Sequence, residues 1–448
     1  MYSARTISGS LFLIGLGSQT QFYFFGSVGI SEILIFVFAP IVFMNDYRCL
    51  KYDGFMPIVW LSLLCCCMSW FSSYMNDTHV IFALKGLAHP YSIFAFTVVL
   101  HYLLRRNFAG FRWLMIGVIF SSIISVFIFQ PATYTFDRTS GDIATGRDAV
   151  VAMMGYSLFW TNQLRGILQL PINIWYMKFP LWYSVIVPIG ISIFAMISSG
   201  TSGRSAMLVA TMGAMLILFG GRDIRRMARV KKQVFWIFGL MVLAGFLLKT
   251  GYEFASKSEL LGYEAKAKYE KHSMEGDSPL KLLMAGRSEF FIALSACIDN
   301  PILGLGPKAE DRQGYVESFM AKYGNIDDYY AMISNWQRGG IGYAIIPTHS
   351  HIASFWLWYG LPGLLLWLYV ILLIIQFFRR YMTAIPQLYG YFCLGAVSMM
   401  WSIFFNPYGF RLHDNLLIVC LLFARAIGKR LMALPFDYEM ELIRYARK

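Results

Sequence analysis

The sequence predicts an all-α integral membrane protein of about twelve transmembrane helices with one large, partly helical external loop. Of the 448 residues, 57% are hydrophobic, 17% are aromatic and only 14% are charged, which is more apolar surface than a soluble domain of this length can bury. Apolar runs of about 17 to 25 residues recur along the chain, the length that a helix needs to cross the hydrocarbon layer. Lysine and arginine concentrate in alternate connecting segments, as they do in polytopic proteins.

The apolar runs fix the order of the predicted spans. These spans cover residues 7–25, 28–44, 55–72, 78–104, 112–130, 150–175, 182–199, 204–219, 234–250, 352–376, 388–405 and 412–428. No small-residue cleavage site follows the first run, so we expect the first helix to be retained. We therefore predict a single polytopic domain over residues 1–448.

The basic residues predict the orientation of the helices. Six lysines and arginines lie between positions 220 and 233, whereas the short loops on the other side carry only Arg138, Arg147 and Arg411. Positive residues in short loops stay on the cytoplasmic side, so both termini are predicted to be cytoplasmic. The net charge of +13 is largely this bias, and the basic run at 222–232 is predicted to contact anionic phospholipid. The charge does not indicate a nucleic-acid partner, because no basic soluble module accompanies it.

Residues 251–350 form an insertion that is too long for a structureless linker. The insertion has 10 lysines and arginines against 13 acidic residues, which agrees with an external, periplasmic position. Within it, residues 278–300 are predicted to form an amphipathic helix, ended by Pro301 and the turn 304–307. Its apolar face is expected to contain Leu282, Phe290, Leu294 and Ile298, with Arg287 and Glu289 off that face.

Small polar residues at 198–203 end one apolar run and begin the next, which predicts a tight external hairpin. Ser202 is placed to cap the following helix, and Arg204 lies in the first turn of that helix. An anion is favoured there by the helix N-terminus and by the guanidinium. The alternative is that Arg204 only reaches up to the outer lipid headgroups.

Three segments occur in an order that resembles the O-antigen ligase and O-antigen polymerase superfamily. The first is the hairpin that ends in Arg204. The second is Gly286-Arg287 followed by the motif at 300–306, and the third is His349-Ser350-His351 followed by Gly-Leu-Pro-Gly at 360–363. The resemblance covers residues 182–376. The family has asparagine after its histidine, which neither His349 nor His351 has here; the spacing to Gly360 favours His349, and the choice between the two stays open.

The resemblance implies a GT-C-like membrane glycosyltransferase of the bacterial inner membrane with its active site on the periplasmic face. Such an enzyme moves oligosaccharide from undecaprenyl-pyrophosphate to an acceptor, with inversion and without metal or other cofactor. Arg204 and Arg287 would hold the pyrophosphate, since arginine recognises phosphate bidentately, and His349 would take the proton of the acceptor hydroxyl.

Secondary candidates for substrate binding lie nearby in the predicted topology. Lys85 and His89 are one helical turn apart in the fourth span, where ionisable groups face a cavity or a partner. They are candidates for the donor phosphates, and a buried contact between helices is the alternative. Arg338, His351 and Arg411 would extend the same basic pocket.

Several functions share these motifs. A polymerase joins repeat units that are both lipid-linked, a ligase transfers the finished glycan to lipid A core, and a third branch glycosylates protein; we favour the polymerase slightly. A flippase or other transporter is the alternative of a different class, because twelve helices are common there. Against it, the two halves show no clear internal repeat, and the polar residues gather at one face.

Overall fold

The computed structural model describes residues 3–18, 21–23, 27–128, 288–323, 345–381, 389–406 and 411–432, and the isolated positions 186, 189–190, 212–213, 258 and 408. Within these ranges the chain is mainly helical, with one two-stranded hairpin. The helices are α1 (Ala4–Leu16), α2 (Ile30–Asp53), α3 (Met56–Met75), α4 (Val80–Arg106), α5 (Phe111–Ile128), α6 (Ser288–Asp299), α7 (Tyr315–Tyr323), α8 (His351–Tyr359), α9 (Leu361–Gln376), α10 (Tyr389–Phe405) and α11 (Arg411–Met432).

The helices carry the membrane character that the composition predicts. Among the described residues, α2, α3, α4 and α9 with its continuation to Tyr381 are long and apolar enough to cross a membrane. Parts of α1, α5 and α10 are shorter apolar helices. Apart from the isolated positions 186, 189–190 and 212–213, the predicted spans 150–175, 182–199, 204–219 and 234–250 lie outside the described residues, so the count of twelve stays a prediction.

The first predicted span, 7–25, is wrong at its end. Helix α1 stops at Leu16, where Gly17 and Ser18 form a turn and the Ser18 hydroxyl donates to the carbonyl of Gly15 (2.7 Å). Strand β1 (Gln21–Tyr23) then pairs antiparallel with β2 (Ser27–Gly29). The five residues directly after α1, 17–21, are glycine or polar and offer no apolar face to continue the helix, and the hairpin satisfies the backbone instead.

Helix α4 is central, packing against α2, α3 and α11. At its C-terminal end the buried His101 contacts two aspartates of α2, Asp46 at 3.0 Å and Asp53 at 2.9 Å. Asp53 also pairs with Arg105 of α4 (3.2 Å) and with Arg430 of α11. We call this end of the molecule the arginine end. A buried carboxylate needs such partners, and Asp53 thereby ties α2, α4 and α11 together.

The predicted span 352–376 is two helices, α8 and α9, separated at Gly360. Gly360 has φ +65°, and a Cβ there would collide with the carbonyl oxygen of Ile302. The break exposes backbone groups, which the segment after α6 satisfies. Leu305 N–H donates to the carbonyl of Leu357 (2.6 Å), and Leu361 N–H donates to that of Ile302 (3.0 Å).

The segment 300–315 therefore lies at the opposite end of the helices, where α3 ends and α4 begins; we call this the loop end. Gly304 (φ +71°) brings its backbone against that of Gly360, since a Cβ would lie 2.6 Å from the Gly360 nitrogen. Pro307 packs directly on Gly86 of α4, where a Cβ would overlap the proline ring. The segment 300–315 is thus seated on the membrane helices through glycine contacts.

The helix predicted at 278–300 is described from Ser288 as α6, and its predicted apolar face is only partly right: Phe290 packs against the buried cluster, but Ile298 does not belong to the buried face. Ile298 is 62% exposed, whereas the buried face consists of Ile292, Ala293, Ala296 and Cys297. These residues pack with Ala353 and Leu357 of α8 in one cluster. The two alanines let the helices approach closely. The contact with α8 therefore determines which face of α6 is buried, and the size of the side chains does not.

We predict that Gly360→Ala destabilises the protein more than Gly54→Ala. Both glycines have positive φ, but a Cβ at Gly54 meets nothing within 4 Å. The Gly54 substitution should therefore cost only the backbone strain, roughly 1–3 kcal/mol, and the Gly360 substitution should add a clash with Ile302. Thermal unfolding of the purified protein in detergent measures this, and equal shifts for the two variants would contradict the proposed seating.

Candidate functional site

His349 lies on the surface at the loop end. Its side chain is 51% exposed, and Nδ1 lies 2.9 Å from Oε2 of Glu289. The next residue, Ser350, is the N-cap of α8: its hydroxyl oxygen accepts from Ala353 N–H (3.2 Å) and donates to the carbonyl of Ile403 (2.7 Å). Because Ser350 is buried and bonded to two elements, the backbone beside the exposed histidine is fixed.

Glu289 stands in the first turn of α6, the helix that begins immediately after Arg287 in the sequence. A carboxylate is favoured at a helix N-terminus. The sequence predicts that Glu289 lies off the apolar face of its helix and does not indicate a contact with His349. The only local signal is an acid two residues after Arg287, which says nothing about a contact 60 positions along the chain.

The position of Glu289 is set by the packing of α6 on α8. The buried Cys297 donates its thiol to the carbonyl of Ala353 (3.6 Å). Burial raises the pKa of Cys297 to about 12, so the thiol stays protonated at neutral pH. This contact is two turns along α6 from Glu289, and it holds the helix against the one that follows His349.

The second histidine of the motif, His351, faces the interior. It is 1% exposed, and Nε2 lies 3.8 Å from Oδ2 of Asp414 in α11. Its ring packs against Trp367 (4.7 Å between centroids) and Tyr408 (5.3 Å). The two histidines that the sequence could not separate are therefore different groups: His349 is open to solvent beside a carboxylate, and His351 belongs to the core.

His89 extends this interior cluster. Its ring lies 5.5 Å from that of Tyr408 and 5.6 Å from that of Trp358. The Tyr408 hydroxyl hydrogen-bonds Ser92 (3.1 Å) and Asn415 (3.0 Å). His89 is half-buried and His351 is buried, and both pack in this aromatic and polar cluster between helices. Their predicted contact with substrate stays a prediction.

The side chain of Lys85 points to solvent and not into this cluster, although Lys85 is one helical turn from His89. It is exposed at the loop end, with its ammonium 5.9 Å from the ring centroid of Phe82. Arg411 is the first residue of α11, one turn before Asp414, and its side chain is outside what the structure describes. The contact of His351 with Asp414 nevertheless places the beginning of α11 beside the beginning of α8.

Arg204, Arg287 and Arg338 lie outside the described residues, so the expected convergence of Arg204 and Arg287 on His349 stays a prediction. The described residues contain no group of three or more histidine, cysteine or acidic side chains that could hold a metal ion. What they do contain is an exposed imidazole with a carboxylate on one ring nitrogen. Such a pair leaves Nε2 to exchange a proton, because the carboxylate occupies Nδ1.

Comparison with the models of known protein families found no match, and comparison with curated proteins found none either.

We predict that His349→Ala and His351→Ala differ in their effect on stability. Truncating the exposed His349 removes at most a surface ion pair worth about 1 kcal/mol. Truncating the buried His351 leaves a cavity beside Trp367 and Asp414, at a cost of about 2–5 kcal/mol. Thermal unfolding of both variants in the same detergent tests this, and a larger loss for His349→Ala would refute the division into surface and core histidine.

Proposed function

We propose that the chain is a membrane glycosyltransferase that moves an oligosaccharide from undecaprenyl-pyrophosphate to an acceptor sugar at the outer face of the inner membrane. The observation that carries the proposal is the contact of the exposed His349 with Glu289 at the start of the helix that follows Arg287. It gives the histidine of the third motif a carboxylate partner from the second motif, which a chance surface histidine would not need.

In the proposed step, Nε2 of His349 takes the proton of the acceptor hydroxyl as its oxygen attacks the anomeric carbon of the donor. The bond between that carbon and the pyrophosphate oxygen breaks, and the lipid pyrophosphate leaves with the bonding electrons. Attack opposite the leaving group inverts the anomeric carbon. Glu289 orients the imidazole through Nδ1 and balances the positive charge that the ring acquires.

Arg204 and Arg287 are proposed to bind the pyrophosphate and to stabilise the charge that develops on it. Their guanidinium groups stay protonated at any physiological pH, so they can perform this role without a metal. Arg338, Lys85 and Arg411 are proposed as further cations for donor or acceptor. His351, by its burial, is proposed to position the His349 segment rather than to react.

Among the acceptors, we propose a second lipid-linked repeat unit, which makes the enzyme a polymerase. The flippase is the competing function, and the buried pair of His351 and Asp414 is the observation that favours it, because ionisable groups inside a helical membrane core often line a transport path. The two functions differ in whether a covalent product forms.

We predict that liposomes containing the wild-type protein and a purified undecaprenyl-pyrophosphate oligosaccharide yield a ladder of longer lipid-linked products. His349→Ala should lower kcat by roughly 10²- to 10⁴-fold, the usual contribution of a general base. Arg204→Ala and Arg287→Ala should abolish the ladder at matched expression. Transfer to lipid A core would instead identify a ligase, and donor crossing the bilayer unchanged would identify a flippase.

Glu289→Gln should lower the rate by about two- to tenfold, because the amide keeps a hydrogen bond to the ring but loses the charge of a solvent-exposed pair. Glu317→Gln is the matched control, since Glu317 is also an exposed acid in the first turn of an external helix, α7. An equal loss in both variants would show that Glu289 acts only through the surface charge of the loop end.

A further inference from the structure

A cavity of about 220 Å³ opens at the loop end. It lies between the turn that joins α3 to α4 and the segment from Asn300 to Tyr315. The residues that matter for its chemistry are Asn76, Asp77, Thr78, Lys308, Glu310 and Arg312. None of them was singled out as a binding residue by the sequence.

The lining presents hydrogen-bond donors and acceptors together. Asp77 and Glu310 supply carboxylates, and Lys308 and Arg312 supply cations, so these four side chains are balanced in formal charge. Asn76 and Thr78 add groups of both kinds. A cavity for a simple anion would be lined by cations. Neighbouring hydroxyls of a sugar donate and accept at once, which is what this lining matches.

The cavity is held in its shape by an unusual backbone. Among the described residues, Asp77 (φ +51°) and Lys308 (φ +56°) are the two that adopt positive φ without being glycine, and both line the cavity. Such conformations are costly and concentrate at binding sites. Gly306 also has positive φ (+84°), and its backbone approaches the Thr78 hydroxyl so closely that a Cβ would lie 3.1 Å from it.

Lys308 is exposed to solvent, although its neighbours shield its ammonium from part of the water. Burial, and then the nearby charge of Lys85, hold its pKa below the ordinary value. A hydroxyl or ring oxygen in the cavity would return a hydrogen-bond acceptor to this ammonium. Arg312 is more open: it pairs with Glu310 at 2.9 Å, and its side chain is 60% exposed.

The cavity is joined to His349 by backbone pairing. Ile346 N–H donates to the carbonyl of Ala309 (3.1 Å), and Ile345 forms a bridge with Glu310. His349 follows Ile346 by three residues, which span at most about 11 Å when fully extended. One wall of the cavity and the histidine are therefore on the same short segment, within reach of one short oligosaccharide.

We propose that this cavity is a glycan subsite that binds one sugar residue of the acceptor oligosaccharide while the reacting sugar lies at His349. The inference rests on the proposed glycosyltransferase function and adds to it the place where the acceptor is recognised. Thr78, Lys308 and Arg312 then determine which glycan is accepted, and His349 acts on any glycan that is held there.

The test measures binding and transfer separately on the full chain in detergent. Binding is measured by saturation-transfer NMR. The probe is the free oligosaccharide that mild acid releases from the lipid-linked glycan of the host. Thr78→Val removes one hydroxyl at constant volume, and Arg312→Gln removes an exposed charge, so both variants should fold. Thermal unfolding confirms this, and Glu317→Gln is the control.

We expect both cavity variants to weaken binding of the oligosaccharide at least fivefold and to raise the KM for acceptor, whereas His349→Ala keeps binding and loses transfer. Wild-type affinity in both variants, or displacement of the oligosaccharide by inorganic pyrophosphate, would overturn the subsite. Cavity-dependent binding without any transfer by the wild type would refute the proposed reaction and leave the subsite standing. Transfer with an unchanged acceptor KM in the variants would refute the subsite alone.

Discussion

The arrangement of the loop end depends on how a break in a membrane helix is satisfied. Between α8 and α9 the backbone leaves Leu357 C=O and Leu361 N–H without helical partners, and such groups are costly in a medium without water. Leu305 N–H and Ile302 C=O fill both positions. Because the contact is made by backbone, it needs close approach, and Gly360 provides this by lacking a Cβ. The segment 300–315 is therefore part of the helical scaffold.

This seating has a consequence for chemistry. Helix α6 ends just before the seated segment and packs on α8, so Glu289 and His349 are brought together by two rigid helices and a bonded turn. Groups that must meet within hydrogen-bond distance are best held on such elements. At the arginine end, Asp53 of α2 holds α4 and α11 through His101 and two arginines. Helix α4 connects the two ends.

The different environments of His349 and His351 follow from the N-cap between them. Ser350 has extended φ and ψ (−147° and 135°), and the helix begins at the next residue. The change from extended to helical backbone turns neighbouring side chains away from each other. One histidine thus reaches solvent and a carboxylate, and the other enters the aromatic core at Trp367. The two histidines of the motif therefore differ in role: His349 is the exposed group, and His351 supports the structure from inside.

The sequence by itself determined the features that depend on local composition. Apolar runs predicted both ends of α3 and α4 closely, because the length and hydropathy of a span are properties of consecutive residues. Helix α2 was found, but it continues to Asp53, well beyond its predicted end at residue 44. The second and third motifs also pointed to the surface where His349 lies. A helix end such as that of α1 at Leu16 was missed, since the hairpin after it forms by pairing between strands.

Only the tertiary structure decided which residues meet. The buried face of α6 was misjudged because Ala293 and Ala296 are chosen by the approach of α8 and not by their own hydrophobicity. Glu289 was missed as a partner because its contact with His349 joins positions 60 residues apart, and one sequence carries no record of such a pair. The cavity at Lys308 was hidden for the same reason, since its walls come from two turns that meet only when the segment 300–315 is seated on the helices.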